Sequence, residues 1–148
     1  MRDSAIYNYI KRIFNRYDDI KKAIWEARND SYIPFGFEGG HAHVSDTTAN
    51  KAISAVMPIK AVFINNDKEM YKVFHPEDWI TVYESTCNYY AYNKLLSDFI
   101  HMRYREHAND IKISVKLNIS KTTQHEYHKK IMAHAALIAV QMNLIKIY

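Results

Sequence analysis

The chain has 148 residues, of which 48% are hydrophobic and 14% aromatic; this suits one domain with a packed core and excludes wholesale disorder and two independent enzymatic domains. Only three glycines and three prolines occur, fewer turn residues than most strand-rich folds use, so we expect an all-α fold. The net charge of +4 is concentrated in residues 99–148, which hold eight Lys and Arg against three acids; this is typical of a nucleic-acid-binding segment and also of an ordinary solvated face.

The location of the protein follows from its cysteine content and its hydropathy. Cys87 is the only cysteine, which excludes an internal disulfide and a cysteine-based zinc site and suits a reducing cytoplasm. The first residues contain no uninterrupted apolar run, so no signal peptide is expected. The most apolar stretch, 131–147, is interrupted by polar residues and is too short to span a membrane. We therefore expect a cytoplasmic protein with no membrane association.

Residues 1–30 predict one amphipathic helix. Apolar residues recur there at alternating spacings of four and three, a heptad pattern that no glycine or proline interrupts. The pattern has two interpretations: the helix covers the core of its own chain, or it pairs with a second copy in a homo-oligomer. The residues of this seam are Ile6, Ile10, Ile13, Tyr17, Ile20 and Ile24, continued by Ala27.

Residues 31–44 predict a linker, because all three glycines and Pro34 fall within them. His41 and His43 have the spacing of a metal-binding pair, but no third ligand lies nearby, so no metal site is predicted. The chain also lacks the glycine-rich motifs that cradle phosphates. We expect no cofactor.

Residues 45–104 predict a central helical region. A helix should begin at Ser45 or Asp46, whose side chains are good N-caps. At Pro58 we expect either a kink or two helices that meet near Met57. The apolar positions of this helix are Ala49, Ile53, Val56 and Phe63.

Two further helices complete the central region. One begins at Pro76, because proline and the acids Glu77 and Asp78 are favourable in a first helical turn. The other covers residues 90–104. Their core residues are predicted to be Trp79, Ile80, Val82, Tyr83, Leu95, Leu96, Phe99, Ile100 and Met102.

Residues 105–148 predict a helix-turn-helix with a long terminal helix. Asn109 or Asp110 would cap a short helix with apolar residues along it, and a tight polar turn would lead to a second helix capped by Ser120. We expect Leu117 and Ile119 to anchor the turn in the core. The second helix would bury one stripe formed by Thr123, Tyr127, Ile131 and Ala135.

The opposite face of the second helix suits duplex DNA. Gln pairs with adenine, Lys and His reach guanine or phosphate, and Thr offers both a hydroxyl and a methyl group. The candidates for base contacts are Lys121, Thr122, Gln124, His125 and His128. The candidates for phosphate contacts are Arg103, Arg105, Lys112, Lys116, Lys129 and Lys130. Glu126 opposes DNA binding unless it accepts a hydrogen bond from a cytosine amino group or sits at the edge of the interface.

Several runs of residues in this chain resemble a known protein family. The pair RY at 103–104, the run KLNISKTTQHEYHKKI at 116–131 and the terminal NLIKI resemble the C-terminal region of the RinA and ArpU group of phage late-gene transcriptional regulators. SDTTANKAI at 45–53 is similar to that family's helix start after a Gly-Gly loop. The resemblance implies a helix-turn-helix like sigma-factor region 4. It also implies an activator of phage late or packaging genes that acts beside the host RNA polymerase in the bacterial cytoplasm.

Two other hypotheses stay open. A phage packaging protein of the terminase small-subunit kind also combines a helix-turn-helix with helical oligomerisation, although usually in the reverse order. A protein-binding helical module would instead dock a partner on the N-terminal seam. We do not expect an enzyme, because HEYH at 125–128 is not the HExxH zinc motif and Cys87 has no identifiable base beside it.

Overall fold

The computed structural model describes residues 2–30, 56–66 and 69–146. This part of the chain is mostly helical and contains a small two-stranded sheet. The linker at 31–44, the pair His41 and His43, and the helix start at Ser45 or Asp46 lie outside the described residues. The elements are α1 (Arg2–Asn15), α2 (Tyr17–Asp30), β1 (Ala61–Asn66), β2 (Glu69–Phe74), α3 (Pro76–Tyr90), α4 (Lys94–Ile100), a π-helix (His101–Arg105), α5 (Asp110–Leu117) and α6 (Lys121–Gln141).

The heptad seam packs inside its own chain. Ile10, Ile13, Tyr17 and Ile20 are all buried, while Ile6 and Ile24 are half-buried against the same core and Ala27 is exposed. A turn at Arg16 divides the predicted single helix into α1 and α2. Of the two interpretations of the seam, the structure therefore supports the one in which it covers the protein's own core.

A hairpin replaces the predicted helix through Phe63, so the all-α expectation is corrected to mostly α. Strands β1 and β2 pair antiparallel, with Val62 opposite Val73. Val62, Ile64 and Val73 point into the core, whereas Phe63 and Phe74 lie on the exposed face. Alternating β-branched and aromatic residues fit a half-buried strand, and this period of two decides the local structure. Val56, also assigned to that helix, is exposed.

Helix α3 begins at Pro76 as predicted, and Trp79, Val82 and Tyr83 are buried in the core. The helix predicted over residues 90–104 is not one continuous α-helix in the structure. Helix α4 starts only after the Asn93 side chain, which caps it by accepting from the backbone N–H of Leu96. It then widens into the π-helix, where the N–H of Glu106 bonds the carbonyl of His101.

Helix α6 is the central element of the core and packs against α1 and α3. Its residues Ile131, Met132, Ala135 and Ala139 are completely buried. Within the described residues, no helix is long and apolar enough to cross a membrane.

Candidate nucleic-acid interface

Two capped helices and a short turn form the framework of the candidate interface. The Asn109 side chain accepts a 2.8 Å hydrogen bond from the backbone N–H of Lys112 and caps α5. Ser120 Oγ accepts from the N–H of Thr123 at 3.1 Å and caps α6. Between them Asn118, at φ 52°, takes the left-handed conformation that ends α5. The caps predicted from the sequence are confirmed, with Asn109 rather than Asp110 at the start of α5.

The core anchors this unit mainly through Ile113, which is completely buried. Leu117 and Ile119, the predicted anchors of the turn, are half-buried against the core. Ile111 and Val115, on the other side of α5, are exposed. Helix α5 therefore buries a narrow stripe and presents most of its surface to solvent.

The exposed face of α6 begins at its first residue. Lys121 is 85% exposed and lies 3.9 Å from the Asp110 carboxylate. Thr122 and His125 are exposed on the adjoining turn, and Lys129 follows one turn later. Glu126 is exposed beside them. Three of the five residues predicted to contact bases, Lys121, Thr122 and His125, are therefore exposed on one end of α6.

The structure contradicts the prediction that Gln124 contacts bases. It is only 3% exposed, and its amide nitrogen donates to the Asp110 carbonyl at 2.9 Å and to Ser114 Oγ at 2.7 Å. It joins α6 to α5, so it does not contact bases. Of the predicted stripe, Ile131 and Ala135 are completely buried as expected, whereas Thr123 and Tyr127 are only half-buried. The buried face of α6 is formed by Gln124, Ile131, Met132, Ala135 and Ala139.

His128 is also not on the exposed face. Its ring is half-buried, and Nδ1 is hydrogen-bonded to the Tyr104 hydroxyl at 2.6 Å. Burial, and then the nearby charges of Lys11, Arg103 and His125, lower the pKa of His128 to about 4. The ring is therefore neutral at pH 7 and braces α6 against the π-helix.

The phosphate-contact candidates divide into two groups. Lys112 and Lys116 on α5 and Lys129 and Lys130 on α6 are exposed. Of these, Lys112 also lies 3.8 Å from the Glu106 carboxylate. The two arginines of the π-helix are held by acids. Arg103 forms an ion pair with Asp110 at the start of α5.

Arg105 is the third site residue, after Gln124 and His128, that the structure places away from the predicted face. It points toward α2, where it bonds Asp18 at 3.0 Å and lies over the Tyr17 ring. Residues two apart on a helix project in nearly opposite directions, so Arg103 and Arg105 serve different faces of the molecule. Arg105 therefore does not belong to the candidate interface.

Helix α1 adds a residue that the sequence did not identify. Lys11 is exposed and lines one cleft together with Arg103 and His107. Its charge adds to the effect of burial in lowering the pKa of His128, and to the effect of Arg103 in lowering the pKa of Asp110. In the sequence, Lys11 is one of several charged residues on the polar side of the heptad. Only the tertiary packing of α1 on α6 distinguishes it from the others.

The two sequence features weighed for catalysis, HEYH at 125–128 and Cys87, lie on different helices, α6 and α3. Across residues 2–30, 56–66 and 69–146, no group of three or more His, Cys, Asp or Glu is placed to hold a metal ion. In HEYH, His125 is exposed whereas His128 is turned toward Tyr104. Cys87 is half-buried, and burial raises the pKa of its thiol, which disfavours the reactive thiolate.

Comparison with known proteins finds no family model, no curated protein and no solved structure that matches this chain. The resemblance to the RinA and ArpU group therefore stays a prediction from the residues quoted above. The candidate interface is defined by its own geometry and charge.

Proposed function

We propose that this protein is a sequence-specific double-stranded DNA-binding protein that regulates transcription. The supporting observation is the exposed, cationic N-terminal end of α6, which follows a short helix and a three-residue turn. An α-helix fits the major groove, and residues near the start of the second helix of such a unit reach base edges. Lys121, Thr122 and His125 occupy those positions.

Four exposed lysines supply sequence-independent attraction in this proposal. Lys112 and Lys116 extend from α5, and Lys129 and Lys130 extend from the next turn of α6. Each phosphate that a lysine neutralises releases a counterion, so affinity falls steeply as salt is added. Glu126 then accepts a hydrogen bond from a cytosine amino group and contributes to the choice of site.

The buried contacts of the unit support a rigid presentation of this face. Gln124 ties α6 to α5, and His128 ties α6 to the π-helix through Tyr104. A prearranged surface loses less conformational entropy on binding. Action as an activator of phage late or packaging genes beside the host RNA polymerase is proposed from the sequence resemblance.

Burial of the heptad seam bears on the alternative of a protein-binding module. Ile10, Ile13 and Ile20 are at most 1% exposed, so a partner could not dock on them without opening the core. A packaging role would also use the cationic face. A packaging protein, unlike a regulator, would bind duplex DNA without preferring a sequence motif.

The proposal is tested with substitutions on and off the face. On a duplex carrying a site selected from random DNA, His125→Ala should reduce the preference for that site over unrelated DNA. Lys129→Ala should weaken both about equally and reduce the salt slope by roughly 0.9. The control is Lys22→Ala on α2, which is 77% exposed and ion-paired with Glu26. If the His125 and Lys129 variants bind like this control, the interface is wrongly assigned.

A further inference from the structure

A basic groove separates α1 from the elements that carry the candidate interface. We use the name α1 groove for two clefts, each of which has α1 as one of its walls. The first, of about 480 Å³, is lined by Lys11, Asn15, Arg16, Arg103, His107 and Ala108. The second, of about 500 Å³, is lined chiefly by Tyr7, Asn8, His125, His128, Lys129 and Lys130. Asn8 and Lys11 lie one turn apart on α1, so the two clefts follow one another along that helix.

The charge of the groove has one sign. No acidic side chain lines either cleft. Two cations of the first cleft are paired with acids that lie outside its lining, Arg16 with Asp19 and Arg103 with Asp110. Within the described residues, none of the ion pairs involves Lys11. A cleft with cationic walls attracts a polyanion more strongly than the same charges do on a flat surface.

The position of the groove indicates which polyanion it binds. One wall carries His125 and Lys129, which belong to the face proposed to contact DNA. The other wall is α1, whose polar stripe runs through Asn8, Lys11 and Asn15 at spacings of three and four. A duplex seated on α6 would therefore bring a backbone strand alongside α1. Lysine and asparagine side chains are regular donors to phosphate oxygens.

We propose that the α1 groove binds the phosphodiester backbone of duplex DNA beside the bases read by α6, with Lys11 as its central contact. The inference rests on the proposed DNA-binding function and extends it to α1. In this proposal, one side of α1 packs on the core through Ile10 and Ile13, and the other side contacts DNA. The N-terminal helix is then part of the DNA interface.

The test compares Lys11→Gln with Lys22→Gln in the full chain. The probes are a duplex with the selected site and an unrelated duplex of equal length, each titrated over a range of salt. Lys11→Gln should weaken binding to both duplexes by roughly five- to tenfold at about 0.1 M salt and lower the salt slope by about 0.9. The ratio between the duplexes should stay the same, and Lys11→Arg should bind like wild type.

Further readouts separate the possible outcomes. Phosphate ethylation interference should show one contact, outside the bases read, that Lys11→Gln loses. Equal urea midpoints for wild type and Lys11→Gln would exclude misfolding, since Lys11 is exposed. If Lys11→Gln binds like Lys22→Gln while Lys129→Gln loses affinity, the α1 groove inference is overturned and DNA binding stands. Failure of the wild type to bind DNA, or equal binding to an acidic polypeptide, overturns the inference together with the proposed function.

Discussion

At the scale of single residues, Gln124 joins two helices through hydrogen bonds to the Asp110 carbonyl and the Ser114 hydroxyl. Gln124→Ala removes both bonds and leaves a gap in a buried position. We expect the free energy of unfolding in urea to fall by about 1–3 kcal/mol. Thr122→Ala, at an exposed position of the same helix, should change it by less than about 0.5 kcal/mol. If Gln124→Ala kept the stability of the protein but lost the preference for the selected DNA site, Gln124 would instead be a DNA-contacting residue.

His128 makes the stability of the protein depend on pH. Its pKa is lowered from 6.5 to about 4 in the folded state, mainly by burial. Between these pH values the unfolded chain binds a proton that the folded chain does not, so stability falls as pH falls through this window. His128→Phe should reduce that fall, whereas His125→Phe, at an exposed position, should keep it. Urea midpoints at several pH values measure the effect, and identical profiles for His128→Phe and wild type would contradict it.

At the scale of elements, the Ser120 side chain fixes the beginning of α6 by bonding the backbone N–H of Thr123. Ser120→Ala should lower the free energy of unfolding by about 1 kcal/mol because one backbone donor loses its partner. Ser120→Asp should keep the stability, since aspartate caps equally well. Urea unfolding of the two variants checks this. Equal losses in both would mean that the hydroxyl acts other than as a cap.

The sequence predicts some elements of this fold well and others poorly, for physical reasons. The starts of α3, α5 and α6 are signalled by local chemistry, namely Pro76, Asn109 and Ser120. The hairpin is missed because its period-two pattern follows a strong helix-capping signal at residues 45 and 46. The π-helix has no comparable local signal in the sequence; in the structure its residues Met102 and Tyr104 are buried in the core.

In the candidate interface, too, the sequence predicts the exposure of some residues of α6 and not of others. Lys121, Thr122 and His125 are predictable as exposed residues because they follow a cap and are polar. Gln124 is not, because its burial depends on partners in α5 that only the folded chain supplies. Lys11 comes from a segment more than a hundred residues away in sequence, and only the packing of α1 beside α6 brings it to the site.

At the scale of the whole molecule, the N-terminal helices contribute stability within one chain. Ile13 is 1% exposed and belongs to the core. Ile13→Ala should cost about 2–5 kcal/mol of unfolding free energy. The loss should be the same at two protein concentrations about a hundredfold apart, because an intramolecular contact does not depend on concentration. A loss that shrinks on dilution would indicate that the seam is an interface between copies.

The surface made by α6, α5 and α1 together is tested most directly by selection from a pool of random duplex DNA by the purified protein. The selection is repeated at low and at moderate salt. We predict that one defined motif is enriched at both, with weaker overall binding at the higher salt. Binding that is sensitive to salt but enriches no motif, or no binding at all, would contradict a sequence-reading regulator.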